Sequence, residues 1–172
     1  MKGLIFLIIL VVLKYFRVFN NNTLGIFVLN LVVTSPVFCN NEMVPRKYTC
    51  DGENVNPPLY VREVPKETKS LVLIVDDPDA PSGTWEHWNV WNIPPTKRIE
   101  ENSVPGVEGE NDFGKHAYGG PCPPSGTHRY FFKVYALDTK LSLQVHCRKK
   151  DIEEAMAGHI LAKGELVGLY RR

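Results

Sequence analysis

The chain contains no C-x-x-C pair. Its four cysteines, Cys39, Cys50, Cys122 and Cys147, lie far apart, which argues against a zinc ribbon or a thioredoxin-like redox motif. It also lacks a G-x-S-x-G elbow and an H-E-x-x-H pair, and with them the signatures of an α/β-hydrolase and a zinc protease. Long basic stretches are missing as well. The longest, Arg148 to Lys150, is bounded by Cys147 and Asp151 and reads as a solvated turn; with a net charge of +1, no nucleic-acid partner is expected. Charge is scarce at the start. Lys2, Lys14 and Arg17 are the only charged residues before Glu42, leaving 17 of the 20 basic residues and all 19 acidic ones downstream, a net of −2.

What is there suits one globular domain. A length of 172 residues holds one sizeable core, and 44% hydrophobic with 23% charged residues excludes disorder. Residues 1–23 stand apart as a hydrophobic leader. The apolar run 3–13 behind Met1 and Lys2 has the pattern of a signal peptide, but Lys14 to Arg17 follow where small residues are expected, and Asn20 to Asn22 stop the run short of a ~20-residue membrane span. Three readings stand side by side: signal, anchor or mis-annotated start. The first two place the protein outside the cytoplasm or on a membrane through the leader alone, and the third places it in the cytoplasm.

The domain is expected over 24–172. Stretches 26–33, 71–75, 88–93, 130–137 and 166–170 are rich in Val, Ile, Tyr, Phe and Trp and are bounded by turn residues, which predicts strands. Their number predicts a mainly β chain, an antiparallel β-sandwich with a few short helices. One helix is expected over 151–163, with Ile152, Ala155, Met156, His159 and Ile160 on one face, Asp151 and Glu154 as a capping-box variant, and Gly164 as the stop. On that face His159 reads as a packed residue. Proline is concentrated at Pro57-Pro58, Pro78, Pro81, Pro94-Pro95, Pro121 and Pro123-Pro124. Proline fixes φ, so such loops hold a shape with little entropy left to lose on binding.

Three constellations carry chemistry. Asp76, Asp77 and Asp79 close an apolar strand, where three carboxylates repel one another and need His, Arg or backbone N–H partners; alone, such a cluster is more often a strand-ending turn. His87, between Trp85 and Trp88, is expected to share a strand face with Asn89 and Trp91 and to sit at a strand mouth; in isolation it reads as a packed ring. His128 and Tyr130, two apart after the stiff loop 119–127, share a face and offer hydrogen-bond donors to an oxyanion, while Arg129 points the other way as a partner for an aspartate. A plain strand-entry loop is the bland reading of that stretch.

The combination of D-P-D-A-P at 77–81, H-W at 87–88 and G-P-x-P-P-x-G-x-H-R-Y at 120–130 closely resembles the phosphatidylethanolamine-binding protein family, whose members include Raf kinase inhibitor protein. Y-T-C-D-G at 48–52, N-D-F-G at 111–114, Gly158-His159 and Glu165-Leu166 look like its bacterial and archaeal branch, and the similarity runs from about Val33 to the C-terminus. The resemblance implies a sandwich with a small pocket for phosphate-like anions. Carried over by motif, its ligand-binding residues are Asp77, Asp79, Pro81, His87, His128 and Tyr130, with Gly120 and Pro121 in the wall. The loop 123–128 departs from the animal pattern and the chain ends just after its last strand, so lipid headgroup selectivity is not carried over.

The expectation is therefore a binding or regulatory protein and not an enzyme. No catalytic residue, metal or cofactor is assigned; the partner is a small oxyanion or phosphorylated ligand. The carboxylates are expected to hold a neighbouring imidazole protonated, raising its pKa. A hydrolase using Cys122, or a metal held by Asp and His residues, is the alternative. An inhibitor of kinases or proteases is a third role that the resemblance implies.

Overall fold

A computed structural model describes residues 28–172, which fold as two β-sheets with one α-helix and one 3-10 turn. The leader 1–23 and the first two residues of the strand expected over 26–33 lie outside the described residues. The chain order is β1 (Leu29–Asn30), β2 (Val32–Thr34), β3 (Glu42–Met43), the 3-10 turn Arg46–Tyr48, β4 (Leu59–Arg62), β5 (Ser70–Asp77), β6 (Trp85–Ile93), β7 (Arg98–Ile99), β8 (Val107–Glu108), β9 (Thr127–Leu137), α1 (Lys149–Met156) and β10 (Ile160–Arg171). The large sheet runs β1-β10-β9-β5-β6-β8, with β3 also on β10, and the small sheet is β2-β4-β7. Pairings are antiparallel except those of β1 and β3 with β10. This is the mainly β sandwich expected.

β5 is the axis of the molecule. All eight of its residues are buried, as a continuous apolar run predicts for a central strand covered on both faces. Leu71, Leu73 and Val75 join the inter-sheet core with Trp88, Val90, Tyr130, Phe132 and Val134. Val72 and Ile74 face the other way, into a second cluster with Trp91, Ile152 and Met156 under α1. Fully burying such a side chain contributes about 1.5–3 kcal/mol relative to exposure, so the strand that ends in Asp76 and Asp77 is firmly fixed.

The C-terminal helix is shorter than its pattern. It begins at Lys149, two residues earlier than expected, and Asp151 accepts the backbone N–H of Arg148 at 2.9 Å, without Glu154. It ends at Met156 because Gly158 adopts φ +81°, a left-handed stop that glycine takes without strain. Ile160 to Lys163 are therefore strand, not helix. Gly164, expected as the stop, lies inside β10, where a Cβ would come within 2.3 Å of the Leu31 carbonyl oxygen. His159 is not packed; its Nδ1 lies 2.8 Å from Asp138 with both side chains about half exposed. Nor is 148–150 a solvated turn, since Lys149 turns inward to Asp76.

Candidate functional site

The site grows from the ends of β5, β6 and β9. A bulge decides where His87 points. Val75 pairs with Trp88 but Asp76 pairs with Glu86, so β6 holds one extra residue there. Such a bulge re-aims a side chain. His87 accordingly does not share a face with Trp91, which packs under α1. It turns toward the inter-sheet side, where its ring meets Tyr130 edge-on with centroids 5.2 Å apart and Phe113 at 5.3 Å. On β9, His128 and Tyr130 do share a face, as their spacing requires.

The three aspartates find separate partners. Fully buried Asp76 pairs with Lys133 at 2.8 Å and Lys149 at 2.5 Å. Asp77 accepts the backbone N–H of Asp79 at 2.8 Å on one oxygen and faces His128 Nδ1 at 2.8 Å on the other. Asp79 accepts two guanidinium bonds from Arg129, at 2.9 and 2.7 Å, and its backbone N–H at 2.9 Å. That fork, foremost, holds the Asp79 carboxyl down at about 2. Asp79 thus fastens the strand ends together and has little left to offer a ligand.

His87 is 3% exposed, and its Nδ1 lies 2.7 Å from the Gly119 carbonyl, which requires N–H at Nδ1. Nε2 is left as the atom available for a ligand. The expectation of a raised pKa is overturned here. Burial pushes the His87 pKa below its ordinary 6.5, and this outweighs the Gly119 bond and the Asp77 charge that act in the other direction. The Tyr130 hydroxyl is buried without a hydrogen-bond partner, and burial followed by the Asp77 charge pushes its pKa up. An orphaned buried hydroxyl is costly unless something satisfies it.

Beside these groups lies an open cavity of about 270 Å³. Asp77, Pro81 and His87 line it. So do Trp85, Phe113 and Cys122, none of them in the expected set. Asp79, His128 and Tyr130 stand behind the lining. Gly120 and Pro121 are buried and hold the wall from the rear: the Gly120 N–H donates to Asn54 Oδ1 at 2.7 Å, and the Pro121 carbonyl accepts from Cys50 N–H at 3.1 Å. Cys122 is disulfide-bonded to Cys50. A sulfur in a disulfide is not a thiolate, so Cys122 offers no nucleophile while that bond stands.

Phe113 owes its place to its own loop. Asn111 Oδ1 accepts the N–H groups of Phe113 and Lys115, while Nδ2 donates to the carbonyls of His87 and Ala117. Gly119 leaves room for the ring, since a Cβ there would lie 2.6 Å from it. The signal for this wall was the N-D-F-G turn at 111–114, an aromatic in a turn beside the other motifs.

Comparison with known proteins agrees with this fold. The family model described as phosphatidylethanolamine-binding protein matches residues 34–171. A UPF0098 protein of Pyrococcus abyssi is 48% identical over 174 residues, covering 95% of this chain and 98% of its own, so that match reaches into the segment before Val28. A UPF0098 protein of Methanothermobacter thermautotrophicus is 55% identical over 137 residues, 75% of this chain and 91% of its own. Among solved structures, a phosphatidylethanolamine-binding protein homologue from Chlamydia trachomatis superposes with TM-score 0.80 at 43% identity, covering 83% of this chain and 98% of its own. Escherichia coli YbcL, described as a new member of the mammalian family, gives TM-score 0.77 at 31% identity over 83% of this chain and 99% of its own. The chain belongs to the phosphatidylethanolamine-binding protein family.

Proposed function

We propose that the protein is a non-catalytic binding or regulatory module whose cavity takes one phosphate-like oxyanion group of a small or phosphorylated ligand. The observation that carries this reading is the single free nitrogen of His87, set among Trp85, Phe113 and Pro81 at the cavity with its other nitrogen committed to Gly119. A ring so held is pre-oriented, which lowers the entropy lost on binding. Protonated, Nε2 donates a charge-assisted bond to an oxyanion; neutral, it accepts from a protonated phosphate oxygen.

Catalysis has less support. Both oxygens of Asp77 are engaged, His128 faces Asp77, and Cys122 is oxidised, so neither Cys122 nor the Asp77–His128 pair supplies a free nucleophile and base. A few polar contacts in an open pocket correspond to millimolar-to-micromolar affinity, at about 4–8 kcal/mol. The test is calorimetric titration at about pH 5, below the ester's second pKa of about 6, with phenyl phosphate on wild type and His87→Ala. Affinity is expected to fall at least about tenfold in the variant, one bond of roughly 1.5–3 kcal/mol; equal affinity in both proteins removes the cavity as the site. Inhibition of a kinase or protease is the finer role within this reading, and panels of such enzymes assayed with the added protein test it.

A further inference from the structure

Outside the cavity, Glu110, His116 and His146 bring one carboxylate oxygen and two imidazole nitrogens within 4.8 Å of one another. We propose that these three residues form a binding site for a borderline divalent transition-metal ion, typified by zinc(II), with at least one coordination position left open to water or an anion. The residues come from three separate stretches: after β8, within the loop 111–119, and in the turn before α1. Two imidazoles and a carboxylate suit zinc, copper or nickel, whereas magnesium and calcium take oxygen shells.

The frame around the three is tied by backbone bonds. The Glu110 N–H donates to the Cys147 carbonyl at 3.0 Å, which fastens the Glu110 segment to the residue after His146. The Asn111 side chain closes the loop that carries His116 through its four hydrogen bonds. His116 Nδ1 also lies 3.4 Å from the Glu108 carbonyl. A donor bond there leaves Nε2 with the lone pair, the arrangement in which metal-bound histidines are commonly held. Around a tetrahedral ion at about 2.0–2.1 Å, ligand atoms stand about 3.4 Å apart, so the widest gap has at most roughly 1.4 Å to close. The His146 side chain is exposed and so has room to rotate toward the other two.

Cys147 is a free, half-buried thiol next to His146 but is not among the three converging ligands. The proposal is independent of the oxyanion reading, since none of the three residues lines the cavity.

The experiment is calorimetric titration of the full, tag-free chain with zinc chloride, with magnesium chloride as the contrasting probe. Zinc is expected to bind one per chain and magnesium not at all. His116→Ala, His146→Ala and Glu110→Gln should each weaken zinc binding by at least about tenfold, while His159→Ala and Cys147→Ser leave it unchanged. In the wild type, substoichiometric copper(II) should broaden the imidazole NMR signals of His116 and His146 before those of His159, a readout that needs no variant to fold. Absence of one-to-one zinc binding, its survival in the His116→Ala, His146→Ala double variant, its loss in Cys147→Ser, or earlier broadening at His159 each overturns the proposal.

Discussion

Asp76 and Asp77 are adjacent carboxylates on β5, yet they face opposite sides of the large sheet into different surroundings. On the α1 side, Asp76 is fully buried between Lys133 and Lys149. On the inter-sheet side, Asp77 is 3% exposed, meets one histidine, and borders the cavity. The Asp76 cluster is closed: a helix and its lysine cover it, and its charge is used up in holding α1 to the sheet. At Asp77 the covering is a Pro- and Gly-rich loop that leaves an opening. Residue type does not separate a structural carboxylate from one at a candidate site; what lies over each face does.

That contrast is most easily broken through the covering of the open side. Cys50 and Cys122 are 72 residues apart in sequence, and closing a loop of that length stabilises by about 4 kcal/mol in the chain-entropy account. Urea unfolding with and without reductant should show a loss of that order, and phenyl phosphate affinity should fall with it because Cys122 lines the cavity. A midpoint insensitive to reductant means that the open side stands without its covalent tie. The closed side comes next. Asp76→Asn leaves two partly buried lysines without their countercharge, an expected loss of about 3 kcal/mol, whereas Asp77→Asn keeps an oxygen for the Asp79 N–H and should cost about 1 kcal/mol. Only Asp77→Asn should alter phosphate binding. Equal destabilisation by the two substitutions would erase the distinction between the faces.

Much of this was legible in the chain itself. β5, β6 and β9 announced themselves through β-branched and aromatic runs ending at turn residues, and the spacing of His128 and Tyr130 placed them on one face. The two-residue strands β3, β7 and β8 are too short to carry any period. The C-terminal helix is shorter than its periodicity because Ile152, Ala155 and Met156 continue in phase with His159 and Ile160, although Gly158 interrupts them. Strict alternation puts His87 with Trp91 because it ignores bulges, and the extra residue at Glu86–Trp88 is set by pairing with β5, a long-range contact. The inward turn of Lys149 depends on the same distant packing. A related reason separates the expected raised pKa of a neighbouring imidazole from the lowered pKa of His87: the nearby aspartates can be read from the motifs, but the near-complete burial of the ring cannot.

The smallest expected effect follows from that burial. The His87 pKa lies below 6.5 in the folded protein and near 6.5 in the unfolded chain, so between those values the unfolded chain holds more protons. Stability must then rise with pH across that window. The contribution of a neutral His87 is fully present above about 6.5 and is lost as pH falls through the folded value. Urea unfolding between pH 7.5 and 5 should therefore give a steeper acid-side decline for wild type than for His87→Gln, the other four histidines being common to both. Sulfate keeps its charge throughout this range and binds the protonated ring best. It should flatten the decline in wild type beyond the general stabilisation that it gives His87→Gln. Parallel pH profiles in the absence of sulfate mean that burial does not govern the ring. Parallel responses to sulfate mean that its free nitrogen is not where an oxyanion binds.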